Sequence, residues 1–445
     1  MRLFIFLKNL MVLSNKLLLC LMVVLLSNSI VASNVASGPV KVEIIKDNDS
    51  YQLYRGGKPY HIKGAGLEFG DLNSLVAHGG NSIRTWSTVT DIETAQELLD
   101  RAHAVGVTVS LGLELVPERL GFDYKDKVQV AAQLEKFRAV VLKHRDHPAL
   151  LTWIIGNELN HSYSVREAYD AVNELSKMIH KLDPNHLTTT TTSGIKVDVT
   201  HEIMTRAPDL DFISFQAYGE LDILTDFIKE TQFTKPFMVT EWGAVGFWES
   251  AETAWGAPFE MNSSDKAANY LKGYQQQLLP LKNQIIGNYV FLWGQKQERT
   301  PTWFGLFTEA GDETEAVDVM HYIWNGSWPD NRTPAFKSIT LNNKTSREDV
   351  ILTAGKTYSA KVDVEDYEDD TLSYFWEIKL ESNATQEGGD FETNIQSLSK
   401  LIKNTAVRDI TFTTPSKAGA YRLFVYIGDG NNNTAHGNIP FYVNK

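Results

Sequence analysis

Eight short apolar or β-branched runs alternate with helix-forming segments between residues 51 and 324, and this alternation constrains the fold more than any other feature. The runs lie at residues 61–66, 81–86, 108–115, 150–158, 187–193, 212–218, 236–243 and 288–293. Apolar residues recur between them at helical spacing, as at Val130, Leu134 and Val141. Eight such repeats predict a (β/α)₈ TIM barrel within the α/β class. A Rossmann-type open sheet is the alternative, but no glycine-rich phosphate loop follows the first run.

The sequence changes character after a polar linker at residues 330–334. Strand-like runs at 357–364, 372–378, 409–413 and 421–427 are separated by Gly and Asn turns. They predict a C-terminal immunoglobulin-like β-sandwich over residues 334–445, with Trp376 in its core, after a catalytic barrel over 40–329. The acidic run at 363–370 resembles those of polycystic-kidney-disease and cadherin-like modules. It is interpreted either as a solvated turn or as a Ca²⁺ site.

The N-terminal residues have the pattern of a secretory signal peptide. Basic residues precede an apolar run at 17–26, and small and polar residues follow it. The sequence predicts a signal peptide over residues 1–33 and a secreted or periplasmic protein; cell-surface association and an uncleaved anchor stay open. Cys20, the only cysteine, lies in the apolar run. The exported protein would therefore contain no disulfide, thiol nucleophile or Cys-ligated metal, and no later run is long enough to span a bilayer.

Charge and aromatic content limit the kinds of partner that the chain is expected to bind. The sequence has 55 acidic against 42 basic residues, a formal net charge of −13, which disfavours binding to nucleic acid or an anionic membrane. Ten Trp, 17 Tyr and 21 Phe residues supply the rings that sugar-binding clefts stack on pyranoses. An oligosaccharide or polysaccharide is the predicted partner, and the oligomeric state stays open.

Two glutamates follow the fourth and seventh predicted strands. Glu158 comes just after an apolar run, and Glu241 ends another. A carboxylate at the end of a buried strand is costly unless it has a function. Because catalytic side chains of a TIM barrel project from the carboxyl ends of its strands, we expect the two to face each other across the mouth. Two opposed carboxylates are what glycoside hydrolysis requires.

The residues around these glutamates resemble clan A of the retaining glycoside hydrolases. The motifs are Gly156–Asn157–Glu158 and Thr240–Glu241–Trp242–Gly243. The resemblance implies that Glu158 is the acid/base and Glu241 the nucleophile. It implies neither a metal nor a cofactor, and no His, Asp or Glu cluster in the sequence has metal-ligand spacing.

The same resemblance assigns four further residues. Arg84 matches the arginine that keeps the nucleophile ionised, and Asn157 the asparagine that binds the sugar 2-hydroxyl. Tyr218 matches the tyrosine that hydrogen-bonds the nucleophile, and Trp293 the aromatic floor under the reacting sugar.

Other residues near strand ends are weaker candidates. His161, Gln295, Trp242 and Trp248 are predicted to bind substrate, although loop packing explains each of them as well. Glu68, Glu114, Glu118 and Glu298 also follow strands, but none fits the opposed pair.

The domain order resembles that of the endo-β-1,3-glucanases of glycoside hydrolase family 158, and the barrel motifs are also similar to those of family 2. The resemblance implies a retaining endo-β-1,3-glucanase acting on laminarin by double displacement. The alternatives are a β-glucan transglycosylase, a hydrolase for another β-linked polysaccharide (mannan, galactan or 1,4-glucan) and a non-catalytic glucan-binding protein.

Overall fold

The computed structural model describes residues 38–67, 70–90, 93–163, 166–384 and 388–445. The predicted signal peptide, Cys20 and Glu68 lie outside these residues. A three-stranded antiparallel sheet comes first, formed by β1 (Val42–Asp47), β2 (Ser50–Arg55) and β3 (Lys58–Pro59).

The next nine strands form one parallel sheet with the order β8-β7-β6-β5-β4-β12-β11-β10-β9. They are β4 (Gly64–Gly66), β5 (Ser82–Arg84), β6 (Thr108–Leu113), β7 (Leu150–Ile155), β8 (Leu187–Thr189), β9 (Thr191–Ser193), β10 (Ile213–Gln216), β11 (Phe237–Glu241) and β12 (Ile285–Val290). Only Thr190 separates β8 from β9, so these two are one barrel strand that pairs with β7 on one side and β10 on the other. The sheet therefore closes into eight barrel strands, which confirms the predicted TIM barrel.

Helices follow the barrel strands. They are α1 (Leu72–Ala77), α2 (Ala95–Ala104), α3 (Lys127–His144), α4 (Glu167–Leu182), α5 (Val197–Arg206), α6 (Leu224–Thr231), α7 (Ser263–Gly273) and α8 (Glu315–Asn325). Several begin at side chains that accept hydrogen bonds from the first turn; Thr94 and Glu97 form a capping box at α2, and Asp126 caps α3. Shorter segments are 3₁₀ turns at Glu118–Leu120, Gly219–Ile223, Phe247–Glu249, Leu279–Leu281 and Ser399–Leu401 and a π turn at Tyr274–Leu278.

The N-terminal sheet covers the end of the barrel where the strands begin. Leu53 packs in an apolar cluster with Phe212 and Met238, both near the starts of barrel strands. The amide of Val42 donates to the carbonyl of Asn185 at 2.8 Å. This end is therefore closed by protein, which leaves the opposite end for a site.

The C-terminal residues form two packed four-stranded sheets, as predicted. Their strands are β13 (Ala335–Leu341), β14 (Lys344–Thr345), β15 (Val350–Thr353), β16 (Thr357–Glu365), β17 (Ser373–Leu380), β18 (Asp409–Thr413), β19 (Gly419–Gly428) and β20 (Thr434–Asn444). The sheet orders are β14-β13-β16-β18 and β15-β20-β19-β17. Trp376 is fully buried between them and donates its Nε1–H to the carbonyl of Val407 at 2.8 Å.

The acidic run contains a hydrogen-bonded turn. Asp366 Oδ1 accepts from the amides of Glu368 and Asp370 at 3.1 and 2.7 Å. Across the described ranges, no group of three or more His, Cys, Asp or Glu residues is placed to hold a metal ion.

One face of the sandwich packs against the barrel through buried polar groups. Arg422 on β19 donates to the carbonyl of Pro258 at 2.8 Å, and Asn438 on β20 donates to Glu260 Oε2 at 2.7 Å. Glu260 also accepts from Lys266 of α7 at 2.5 Å. These groups satisfy one another away from water, so the two folds share an interface built on directional bonds. Of the helices in the described residues, none combines the length and apolar character needed to cross a membrane.

Candidate active site

A cavity of about 760 Å³ opens at the carboxyl ends of the barrel strands. Its lining includes the two carboxylates that the sequence singles out, Glu158 after β7 and Glu241 at the end of β11. Five of the residues assigned by the clan A resemblance meet at the inner end of this cavity: Arg84, Asn157, Glu158, Tyr218 and Glu241.

Glu241 is 5% exposed and accepts hydrogen bonds from four side chains. Its Oε1 accepts from Arg84 Nη1, from Trp86 Nε1 at 2.7 Å and from Gln216 Nε2 at 2.9 Å. Its Oε2 accepts from Tyr218 Oη at 2.6 Å. Four donors, one of them a cationic guanidinium, point at this carboxyl group, an arrangement that suits a negatively charged acceptor.

Arg84 supplies the positive charge in this arrangement. Its side chain is fully buried at the end of β5, and its guanidinium lies over the Trp86 ring, 4.6 Å from the ring centroid. Trp86, two residues beyond the end of this strand, donates to the same oxygen of Glu241 as Arg84 does. The pair therefore reaches Glu241 together.

Asn157 is held by three donors on its side-chain oxygen. Arg84 Nη2 and Gln216 Nε2 each lie 2.9 Å from Asn157 Oδ1, and Thr191 Oγ1 lies at 3.3 Å. A guanidinium can only donate, so the atom facing Arg84 must be the amide oxygen. The amide nitrogen is then the end of Asn157 that is left for a ligand in the cavity.

Glu158 has a different environment. Burial of its carboxyl, followed by the negative charge of Glu241, raises the pKa of Glu158 to about 8. Its backbone has φ 49°, in the left-handed region that a glutamate rarely adopts, and its amide donates to Thr191 Oγ1 at 3.1 Å. The two carboxyl groups thus have contrasting environments: donors surround Glu241, whereas burial and a neighbouring negative charge favour the protonated form of Glu158.

Aromatic rings form much of the wall. Tyr218 packs edge-on against Trp248 and Phe291, each with 5.7 Å between ring centroids, and lies 5.3 Å from Phe304. Burial, and then the charge of Glu241, raises the pKa of Tyr218 well above its ordinary value. Its hydroxyl therefore stays a proton donor to the carboxylate.

Two of the weaker candidates also line the cavity. His161 follows Glu158, and its amide donates to the carbonyl of Glu158 at 2.9 Å. Trp248 lies after β11 and is 51% exposed, so a ring face is accessible there.

The structure does not bring Trp242, Trp293 or Gln295 to the cavity. Trp242 is fully buried, and its Nε1 donates to Asn288 Oδ1 at 3.2 Å. Gln295 donates to the carbonyl of Pro301 at 2.8 Å. Both side chains pack within the barrel wall and its loops rather than against a ligand.

The placement of Trp293 corrects the predicted aromatic floor. The eighth barrel strand ends at Val290, three residues earlier than predicted. Strand alternation therefore no longer governs Trp293, whose ring is buried against Phe307 and Trp324 of α8. Phe291, the first residue after the strand, lines the cavity instead.

Sequence reasoning missed Trp86 and Gln216, which both contact Glu241. A signal was present, since each lies two residues from an assigned residue at a strand end, Trp86 after Arg84 and Gln216 before Tyr218. Three more glutamates were left aside. Glu114 and Glu298 line the cavity; Glu114 accepts from the amide of Thr88 at 2.9 Å, and Glu298 pairs with Lys296 at 3.1 Å. Glu118 begins a 3₁₀ turn after β6.

Comparison with known proteins identifies the family. Residues 70–323, more than half of the chain, match glycosyl hydrolases family 2, TIM barrel domain. The chain belongs to glycosyl hydrolase family 2. The match supports the family-2-like barrel motifs, whereas the resemblance to family 158 gains no support from it and stays a prediction.

Solved structures similar to this family 2 chain have low sequence identity to it. The β-glucuronidase of Bifidobacterium dentium, complexed with coumarin-3-O-glucuronide, is 19% identical with a TM-score of 0.50, over 65% of this chain and 50% of its own. Bacteroides uniformis β-glucuronidase 2 is 15% identical with a TM-score of 0.49, and the match covers 91% of this chain and 48% of that protein. The β-D-glucuronidase of Dictyoglomus thermophilum is 16% identical with a TM-score of 0.48, and the match covers 65% of this chain and 54% of that protein. The chain spans about half the length of these proteins. No curated protein sequence matches it.

Proposed function

We propose that this family 2 chain is a retaining β-glycoside hydrolase with Glu241 as the nucleophile and Glu158 as the acid/base. The contrast between the two carboxyl groups carries the proposal. Four donors surround the Glu241 carboxyl, while burial and the charge of Glu241 raise the pKa of Glu158. A nucleophile must carry its charge and a general acid its proton, so the environments match the two roles.

In the first step, an oxygen of Glu241 attacks the anomeric carbon of the bound sugar. Its Oε1 is held by three donors and its Oε2 by Tyr218 alone, which leaves Oε2 the more available for attack. The bond from the anomeric carbon to the leaving oxygen breaks, and the proton of Glu158 passes to that oxygen. The products are the released alcohol, a glycosyl ester on Glu241 and ionised Glu158.

In the second step, ionised Glu158 takes a proton from water while the water oxygen attacks the anomeric carbon. The ester bond to Glu241 breaks, and its electron pair returns to the carboxylate. Each step inverts the anomeric carbon, so the product retains the configuration of the substrate. A sugar hydroxyl in place of water gives transglycosylation by the same residues, and product analysis at high substrate concentration distinguishes the two.

We propose a β-linked glucan as the substrate, with the β-1,3 linkage of laminarin as the first choice. The support is the sequence resemblance together with a cavity walled by Trp86, Tyr218, Trp248, Phe291 and Phe304. Neutral pyranoses present apolar faces that such rings cover. Endo cleavage belongs to the same prediction, as does secretion or export to the periplasm, which N-terminal sequencing of the native protein tests.

An acidic sugar is the second candidate, because of Lys196. Three cationic residues line the cavity, and two of them already pair with carboxylates: Arg119 with Asp390 at 2.9 Å and Lys296 with Glu298 at 3.1 Å. Within the described ranges, Lys196 forms no ion pair. A uronic acid carboxylate would complement this charge, and the solved structures above are β-glucuronidases.

The experiment compares hydrolysis of β-glucans, β-mannans and aryl β-glycosides, with aryl β-glucuronides included. Glu241→Gln is assayed beside wild type, with Glu174→Gln, an exposed change on α4, as the matched control. We expect hydrolysis by wild type and the control and none by Glu241→Gln. Azide should rescue Glu241→Ala and give the glycosyl azide of inverted configuration.

The polymer that is cleaved decides the substrate. Glucuronide hydrolysis that is lost in Lys196→Met would select the acidic sugar. Turnover by Glu241→Gln at the rate of wild type contradicts the mechanism. If wild type binds glycan but does not hydrolyse it, the chain is a non-catalytic binding protein.

A further inference from the structure

A segment of the sandwich, Gly388–Glu392, reaches the mouth of the barrel. We call these five residues the roof segment. Gly388 and Gly389 line the cavity although they belong to the C-terminal fold. The cavity is therefore built from both folds.

The middle residue of the roof segment, Asp390, is attached to the loop after the third barrel strand, β6. Arg119 in that loop donates two hydrogen bonds to Asp390, Nη2 to Oδ1 at 2.9 Å and Nη1 to Oδ2 at 3.3 Å. A two-point contact between guanidinium and carboxylate fixes orientation as well as distance.

The roof segment is also attached to the loop after the eighth barrel strand, β12. The amide of Gly389 donates to Glu298 Oε1 at 3.1 Å, and the carbonyl of Gly389 accepts from Lys296 Nζ at 2.8 Å. Glu392 Oε2 accepts from the amide of Arg299 at 3.0 Å. Main-chain atoms make most of these contacts, so the backbone itself is held in place.

The segment lies directly on the loop after the seventh strand. A Cβ added to Gly388 would lie 2.9 Å from the Trp248 ring, so glycine is what allows the backbone this close to the ring. Gly389 has φ 90°, another conformation that favours glycine.

The start of the loop that carries the segment is fixed as well. Glu381, directly after β17, accepts from Arg422 Nε at 3.0 Å and Nη2 at 2.8 Å. Arg422 is 1% exposed and belongs to the interface with the barrel. The position of the roof segment therefore follows from how the sandwich is docked.

We propose that the roof segment limits the length of glycan that the active site accepts on its closed side; this rests on the proposed function. The third strand and the seventh and eighth strands lie on opposite sides of an eight-stranded barrel. The adjacent residues Gly389 and Asp390 contact loops of both sides, so the roof segment bridges these loops, and in our proposal it lies over the side formed by strands one and two. The mouth stays open on the side of strands four to six, where Ser193, Gly194 and Lys196 line the cavity.

The depths of the two glutamates orient the substrate in this pocket. Glu241 is 5% exposed, whereas Glu158 is the more exposed of the two. The leaving group contacts Glu158 and so points outward, while the attacked sugar lies inward beneath the roof segment. A cavity of about 760 Å³ lies within the range of small-ligand pockets, about 300–1,000 Å³. The roof segment, through Asp390, thus determines how many sugar units fit on the inner side of the attacked sugar.

The first test uses hydrolysis of β-glycosides of increasing chain length. Asp390→Ala removes one attachment of the roof segment, and Asp170→Ala removes a matched ion pair to Arg206, also 2.9 Å long, on the outer helices. We expect the ratio of kcat/KM on long glycans to that on the aryl monoglycoside to rise roughly two- to fivefold in Asp390→Ala, the range supported by loss of one partly exposed ion pair. It should be unchanged in Asp170→Ala. An unchanged ratio in both variants overturns the proposal.

A second test needs no substrate, so its failure is distinguishable from failure of the proposed function. Ser87 and Ser193 both line the cavity and are partly buried. In our proposal, Ser87 lies under the roof segment and Ser193 on the open side. Ser87→Cys and Ser193→Cys are labelled with a small methanethiosulfonate and with a dextran-linked maleimide. We expect the small reagent to react with both cysteines and the large reagent to react with Ser193→Cys only. When Asp390→Ala is added to Ser87→Cys, the large reagent should react with that cysteine as well. Equal reaction of both cysteines with the large reagent contradicts a roof over this side.

Discussion

Replacement of Tyr218 by Phe tests how the nucleophile is released in the second step. The change removes the 2.6 Å hydrogen bond to Glu241 Oε2 and keeps the ring that packs on Trp248, Phe291 and Phe304. The bond is strongest when Glu241 is ionised, in the free enzyme and again when the glycosyl ester breaks. Its loss should therefore slow deglycosylation, whereas glycosylation, in which Glu241 gives up its charge, should not be slowed.

The size of this effect follows from the chemistry of the bond. A hydrogen bond to a charged group contributes about 1.5–3 kcal/mol. If about half the charge has returned to Glu241 in the transition state of ester cleavage, roughly 0.8–1.5 kcal/mol is lost, a slowing of about four- to twelvefold.

The assay is stopped-flow hydrolysis of a dinitrophenyl glycoside, which makes glycosylation fast. In Tyr218→Phe we expect a burst of dinitrophenol, kcat and KM lowered together, and kcat/KM that is unchanged or raised. Tyr270→Phe is the matched control, because Tyr270 is also buried but its hydroxyl donates to the carbonyl of Phe291 at 3.0 Å. An equal fall of kcat and kcat/KM without a burst would refute this reasoning.

Three further predictions concern charge. Arg84→Met leaves the Glu241 carboxylate buried without its cation, so we expect the free energy of unfolding to fall by about 3–5 kcal/mol in urea titrations, with partial recovery on adding Glu241→Gln. Burial raises the pKa of Glu158 to about 8, and Glu158 acts as an acid, so kcat/KM on glycosides with poor leaving groups should fall as pH rises through that value. Glu158→Gln should not show this fall in a plot of kcat/KM against pH. Arg422→Met should lower the free energy of unfolding by about 3–5 kcal/mol, since Arg422 is buried, whereas exposed Arg408→Ala should cost at most about 1 kcal/mol by the same titration.

The sequence predicts the barrel from local patterns, because strand-like runs and helical spacing between them are sufficient to place it. The contact between Glu241 and Tyr218 follows instead from the resemblance to clan A, which assigns the tyrosine at the end of the sixth strand to the nucleophile. Trp293 was misplaced because the boundary of the eighth strand is uncertain by a few residues in any sequence pattern, and its end decides which ring faces the cavity.

The roof segment and the sandwich interface lie beyond such patterns. Asp390 meets Arg119 across 271 residues, and no periodicity relates them. On β19, Arg422 and Phe424 alternate with core residues as solvent-facing residues would, yet they are 1% and 3% exposed. Alternation separates the two faces of a strand, but it does not distinguish a face in water from one against another domain.

The bond between Arg422 and Glu381 also affects how the domains of this protein can evolve. A C-terminal domain used only as a tether is interchangeable, and shuffling one for another leaves the catalytic unit intact. Here the domain supplies part of the wall around the reacting sugar, and its placement depends on a buried arginine shared with the barrel. Exchange of the whole domain as a cassette would remake the pocket, so specificity and domain architecture in this protein must evolve together.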